Sequence, residues 1–172
     1  MKLLVSSLIC AVTLSLSAVT AKAADALSLE DIQAMDQDQL DALYEYAPAG
    51  TIPDGASNGR AIFFPGSILN APTTALASLL WQGKVFDNAN GVLLNRVFGF
   101  EAIKAKVFKA DSLFDGNEAI IVDYQDTSVL CGPVRDEIRQ IGDHLYLGRA
   151  YIRTLFGPIF AVNFALDFAD AE

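Results

Sequence analysis

Histidine, cysteine and basic side chains are all scarce in this sequence, and each scarcity removes a class of function. The 172 residues include one histidine, His144, two cysteines, and twelve lysines and arginines. One His, together with the one Cys that survives processing as argued below, cannot build a tetrahedral zinc site, and no Ser-His-Asp or Cys-His arrangement can be assembled from a recognisable cluster. No Gly-x-Ser-x-Gly, Walker or dinucleotide-binding fingerprint occurs. No catalytic residue, metal or cofactor is therefore expected. His144 itself follows Gly142-Asp143 in a turn, where an imidazole ordinarily faces solvent. The twelve bases are outnumbered by twenty-one acids, giving a formal charge of −9, and such a surface repels nucleic acid and anionic lipid.

Charge is missing altogether from one stretch, Leu3 to Val19. Lys2 supplies a positive start, the run itself is apolar and small, and Ala21-Lys22-Ala23 offers a small-x-small cleavage site, the pattern of a secretory signal peptide cut after Ala23. A retained anchor is the competing reading, but serine and threonine interrupt the roughly 20 apolar residues needed to span a bilayer. Lipidation at Cys10 is a third, and Ser7-Leu8-Ile9 lacks the small residue expected just before a lipidated cysteine. Cleavage divides the chain into a signal, residues 1–23, and one domain, residues 24–172, in a periplasmic or secreted location with no integral membrane segment. Lys2, Lys22 and Cys10 leave with the signal, so ten bases face twenty-one acids, a charge of −11. Cys131 is then the only cysteine and has no internal disulfide partner. Lacking a nearby His or Lys to lower its pKa, it reads as an inert packing residue.

What remains is rich in structural punctuation. Ser28 with Asp31, and Asp36 with Gln39, form two successive N-cap signatures ahead of Leu29/Ile32 and Leu40/Leu43/Tyr44, predicting two short helices. Prolines and glycines from Pro48 to Gly55 end them, and a third helix begins at Asn70-Ala71-Pro72, with Leu76, Leu79 and Leu80 on one side before Trp81, and ends at Gly83. Strand-length segments follow: Lys84 to Phe86, Val92 to Phe98, Ala102 to Lys109, Glu118 to Tyr124, Val134 to Ile141, Leu145 to Arg153 and Ile159 to Phe168, which with Arg60 to Phe64 make eight. The turns between them carry Asn-Gly, Asp-Gly, Gly-Asp and Gly-Pro pairs. The fold class predicted is α+β, mainly β: an antiparallel up-and-down, lipocalin-like barrel with short N-terminal helices, because closure removes the aggregation-prone edges of a secreted sheet. A β-sandwich would show the same alternation, as in the last strand, where Phe160, Val162, Phe164, Leu166 and Phe168 fall on one face.

Leu80-Trp81-Gln82-Gly83-Lys84-Val85-Phe86-Asp87, Asp115-Gly116-Asn117-Glu118, Arg135-Asp136-Glu137-Ile138-Arg139 and Leu145-Tyr146-Leu147-Gly148 resemble, in that order, a family of small bacterial proteins with no established activity. Ile52-Pro53-Asp54-Gly55 fits the same pattern. The resemblance implies one calycin-like barrel and assigns no functional residue.

Chemistry is then sought among polar groups that the strand pattern points inward. Asp136 shares a side with Val134 and Ile138, and a carboxylate on an apolar face needs a partner. Arg149, between Leu147 and Tyr151 on the next strand, is the expected partner, and Asp123, on the side of Ile121, is a second inward acid. The expected ligand-binding set is Asp123, Asp136, Arg149, Tyr151 and Trp81, the last read chiefly as a plug at the barrel end. Converging in a lumen, these groups would anchor the head of a small apolar or amphiphilic molecule whose tail the Phe, Leu and Val side chains enclose. A cofactor-independent acid–base enzyme of isomerase or dehydratase type is the alternative, as are an envelope protein-interaction module and a salt-bridge network that fixes strand register.

Overall fold

A computed structural model describes residues 27–169, so the expected signal segment, residues 1–23, lies outside the described residues. Two short helices open the chain, α1 (Leu29–Ala34) and α2 (Gln37–Tyr46). Both begin with the capping boxes read from the sequence: Ser28 with Asp31, and Asp36 with Gln39, each exchange side-chain and backbone hydrogen bonds. Next come β1 (Gly55–Ala56), β2 (Asn58–Ile62) and α3 (Asn70–Leu80), followed by β3 (Trp81–Asp87), β4 (Val92–Val97), β5 (Phe100–Asp111), β6 (Glu118–Asp123), β7 (Val134–Gln140), β8 (Leu145–Thr154) and β9 (Gly157–Asp167). The nine strands form one antiparallel sheet in the order β1-β3-β4-β5-β6-β7-β8-β9-β2. Since β1 and β2 are joined through Ser57 alone, the two ends of this order meet and the sheet nearly closes into a barrel.

The seam explains why nine strands stand where the sequence suggests eight. Residues 55–62 are one extended run that pairs first with β3 and then, past Ser57, with β9. Ser57 is the pivot: its backbone N–H and its hydroxyl both donate to the Lys84 carbonyl, at 2.8 and 2.9 Å, and its hydroxyl accepts from the Lys84 N–H at 3.1 Å. Such close contact needs bare backbone. A Cβ on Gly83 would lie 2.2 Å from the Ser57 carbonyl oxygen, and one on Gly59 would lie 2.6 Å from the Gly83 Cα.

Both faces of the sheet carry apolar side chains, which the sequence pattern does not distinguish. The lumen holds Phe86, Leu93, Val107, Ile120, Val122, Ile138, Tyr146, Phe164 and Leu166. The outer wall of β8, β9 and β2 carries Leu145, Leu147, Ala165 and Ile62, covered by Leu29, Ile32, Leu40 and Tyr44 of α1 and α2. This separates the barrel from the sandwich alternative, because the second layer over the sheet is helical. A bulge in β9 adds a correction. Ala150 pairs with Val162 but Tyr151 pairs with Phe160, so Ala161 is the extra residue and Phe160 moves to the outer face, against its expected place beside Val162.

Helix α3 lies on β2 with its polar side inward. Thr74 donates to the Ala61 carbonyl at 2.8 Å and Asn70 to the Gln33 carbonyl at 2.6 Å, both side chains being buried. Leu76, Leu79 and Leu80 are consequently exposed.

Candidate functional site

Apart from Tyr146, whose hydroxyl donates to the Thr51 carbonyl at 2.9 Å, four polar side chains on the lumen face gather into one cluster. Lys84 on β3, Asn95 on β4 and Asp136 on β7 alternate respectively with Phe86, Leu93 and Ile138, and Tyr124, just past β6, continues the face of Ile120 and Val122. Lys84 and Asn95 are direct cross-strand partners, as are Val122 and Asp136, so the ladder itself brings these side chains together. The Lys84 ammonium donates to Asn95 Oδ1 at 2.9 Å, to the Tyr124 hydroxyl at 2.7 Å and to Asp136 Oδ2 at 2.8 Å. All three of its protons are thereby used. Tyr124 also reaches Asp136 Oδ2, at 3.1 Å, and the Asn95 amide donates to the Tyr124 hydroxyl and to the Ile103 carbonyl, both at 3.0 Å. Trp81 completes the cluster through its indole N–H, 3.2 Å from Asn95 Oδ1.

A bulge between Trp81 and Gly83 lets Trp81 and Lys84, three positions apart, both face inward. The ammonium lies 5.4–5.5 Å from the ring centres of Trp81, Tyr124 and Phe164, so aromatic faces surround the charge wherever carboxylate or amide does not. Phe164 packs edge-on against Trp81 and covers Gly148, whose position tolerates no side chain: a Cβ there would stand 2.2 Å from the Phe164 ring.

Burial by itself works against the Lys84 ammonium, but the Asp136 carboxylate and the Tyr124 hydroxyl outweigh it and raise its pKa above the ordinary lysine value. Burial, and then the Asp136 charge, also push the Tyr124 phenol up. At neutral pH the site therefore holds a fixed cation and a neutral phenol.

This cluster forms one wall of a cavity of about 370 Å³ that opens at the end of the barrel where β3 begins. The remaining walls are apolar, including Leu80, Val97, Ile103, Val134, Val162 and Phe164. Cys131 also borders it, half-buried and free, at the rim of the lumen.

Of the residues expected to converge, Asp136 and Trp81 face the cavity, whereas Asp123, Arg149 and Tyr151 stand outside the barrel. The expected Asp136–Arg149 pair does not form. Asp136 pairs across the ladder with Ala150, and Arg149 with Glu137, which puts the two on opposite faces. Arg149 instead binds Asp41 of α2, receives support from the Tyr151 hydroxyl at 3.2 Å, and sits 4.1 Å from the Phe114 ring centre and 4.7 Å from that of Phe160. Asp123 pairs with Arg153 at 2.8 Å. Asp123 does share a side with Ile121, and Arg149 with Leu147 and Tyr151, but that side is the outer face of the sheet rather than the lumen. Lys84, Asn95 and Tyr124 were missed, although the alternation that marked Asp136 marks them too. A lysine in a strand is ordinarily taken as solvated, and this one is 2% exposed.

Among the described residues no group of His, Cys, Asp and Glu has the arrangement of a metal site. No family model matches the sequence, and no curated protein matches it. One solved structure, a protein from Thermomonospora curvata, is similar at 20% identity over 78% of this chain and 88% of that one, with a TM-score of 0.51. At that identity the likeness shows a shared fold.

Proposed function

We propose that the lumen binds a small apolar molecule carrying a hydroxyl or another hydrogen-bond donor, and that the protein does so outside the cytoplasm after cleavage at Ala23. The observation that carries this reading is a polar cluster with its donors committed, set into an otherwise apolar, open cavity of about 370 Å³, within the roughly 300–1,000 Å³ typical of small-molecule sites. A cluster whose only task was to fix register would be packed shut.

Its donor and acceptor inventory narrows the ligand. The protons of Lys84, the Asn95 amide and the Trp81 indole are all committed inside the cluster. Both hydrogen bonds to Asp136 fall on Oδ2, and among the described residues none reaches Oδ1. The acceptor left for a ligand is thus a carboxylate oxygen, which suits an alcohol and repels an acid of the same chain length. Acid–base catalysis receives less support, because Lys84 and Tyr124 are both driven away from the neutral range in which proton transfer is efficient.

Trp81 is the single tryptophan of the chain and borders the cavity, so its emission reports occupancy directly. Titration of the delipidated protein with decanol should give a saturable change in emission, with decanoate binding about tenfold or more weakly for want of a donor and for its charge beside Asp136. Absence of saturable binding by either would overturn the reading, and a preference for decanoate would overturn the assignment of Asp136 as the contact.

A further inference from the structure

The two ends of the barrel differ in kind. At the closed end the turns 88–91, 112–117 and 141–144, with the strand residues that flank them, carry Asp87, Asp111, Asp115, Glu118 and Asp143, of which Asp115 is paired with Arg139 and Glu118 with Lys109. At the open end the three hairpin connections present Phe98 and Phe100, Val129 and Leu130, and Leu155 and Phe156, all exposed. Val129, Leu155 and Phe156 are fully so. Because the strands run up and down in sequence order, these connections fall at successive positions around one rim, and exposed Leu79 and Leu80 at the end of α3 extend the same apolar collar.

One member of the collar is held at conformational expense. Phe98 has φ of 52° and the following Gly99 φ of 79°, the two positive dihedrals of a tight hairpin turn in which asparagine or glycine is the comfortable first residue. The Phe98 ring remains exposed, so packing within the protein does not explain its place there. Near the rim Asp123 pairs with Arg153 and Asp126 with Lys106, while Glu101 and Arg96 stand opposite each other in the hairpin that carries Phe98, so no block of one sign flanks the collar.

We propose that this collar docks the open end of the barrel onto an electrically neutral lipid bilayer, so that the cavity mouth faces the acyl region and its ligand enters without crossing water. The inference rests on the ligand-binding reading above for its purpose, but not for its test. A bilayer is the favoured occupant for three reasons. The apolar side chains stand on separate convex tips rather than on a flat or concave face, and a fluid surface conforms to them. The collar encircles the cavity entrance. The acidic residues gather at the opposite end, which orients the barrel mouth-down and disfavours an anionic surface.

Flotation with vesicles of pure phosphatidylcholine tests this, using the intact secreted protein and the variants L155S/F156S and V129S/L130S, none of whose altered positions borders the cavity. The native protein should float, each double variant should partition about tenfold or more weakly, and decanol titration of Trp81 emission should be the same in all three. Failure of the native protein to float, or flotation unchanged in both variants, would sink the proposal whatever the decanol result. So would flotation that requires phosphatidylglycerol. A dimer in sedimentation that the same substitutions dissolve, without vesicle binding, would assign the collar to a second copy instead. The lumen reading fails separately, on the titration.

Discussion

Two buried polar clusters in this molecule use the same side-chain types to different ends. Inside the lumen, Lys84, Asp136, Tyr124 and Asn95 border open space. Outside it, beneath α1 and α2, Glu137 and Arg139 are fully buried and packed on every side. Arg139 forms a two-pronged pair with Asp115 at 2.6 and 2.7 Å, donates to the backbone carbonyls of Tyr44, Asn117 and Glu118, and lies 4.5 Å from the Tyr44 ring centre. Glu137 accepts from the Ser112 hydroxyl at 2.6 Å, the Leu113 N–H at 3.0 Å and Arg135 at 2.9 Å. The outer cluster therefore ties helix, turn and strand together through backbone groups as well as side chains. The inner one is held almost entirely by side chains and touches the backbone once, at Ile103. A cluster that stitches backbone is structural; one that is self-contained and borders a void is available to a ligand.

That contrast can be broken most forcefully on the outer side. Arg139→Ala takes the buried counter-ion from Asp115 and a hydrogen bond from each of the Tyr44, Asn117 and Glu118 carbonyls, and should lower stability in urea titration by about 3–5 kcal/mol. Decanol affinity of the fraction that remains folded should be unchanged.

On the inner side the single and double replacements should diverge. Lys84→Met leaves Asp136 buried without its counter-ion and should again remove about 3–5 kcal/mol. K84M/D136L takes away both charges and should return to within about 2 kcal/mol of the native protein, since apolar replacement of a whole buried pair is commonly neutral. The double variant should then lose its preference for decanol over decanoate. If it remained as unstable as Lys84→Met, the inner cluster would be as structural as the outer.

The smallest expected effect lies in acid. The Arg139 hydrogen bonds hold the Asp115 carboxyl down at about 2, below the ordinary aspartate value of about 3.9. A depressed carboxyl contributes stability that is complete above its unfolded pKa and disappears as pH falls through its folded one. Thermal melts should thus decline between about pH 4 and pH 2, and the decline should be shallower in Asp115→Asn, which begins less stable at neutral pH. Lys84 has the opposite sign. Its raised pKa means that its contribution is present below the ordinary lysine value and vanishes only as pH rises through the higher folded one.

Much of this architecture was legible in the chain because it is local. Ser28 and Asp36 each meet their capping partner three residues away, and the strands end within a few residues of the turn pairs that punctuate them. The inward direction of Asp136 followed from its alternation with Val134 and Ile138. Its partner did not, because alternation states which residues share a side and not which side is the lumen. Where helices cover the outer wall, both sides are apolar, and Leu145, Leu147 and Tyr151 look like lumen residues until α1 and α2 are in place. Phe160 adds a second reason: one extra residue at Ala161 reverses its side, and no local signal announces a bulge there.

The sequence by itself determined the helices, the strands and their antiparallel order, since capping, turn geometry and two-residue periodicity act over a few neighbouring positions. Only the tertiary structure decided that Ser57 would split one strand to close the barrel, that Lys84 rather than Arg149 would neutralise Asp136, and that one rim would be apolar while the other is acidic. These depend on which residues meet across the ladder after closure, and such contacts join positions far apart in the chain, Lys84 and Asp136 by 52 residues and Arg149 and Asp41 by 108.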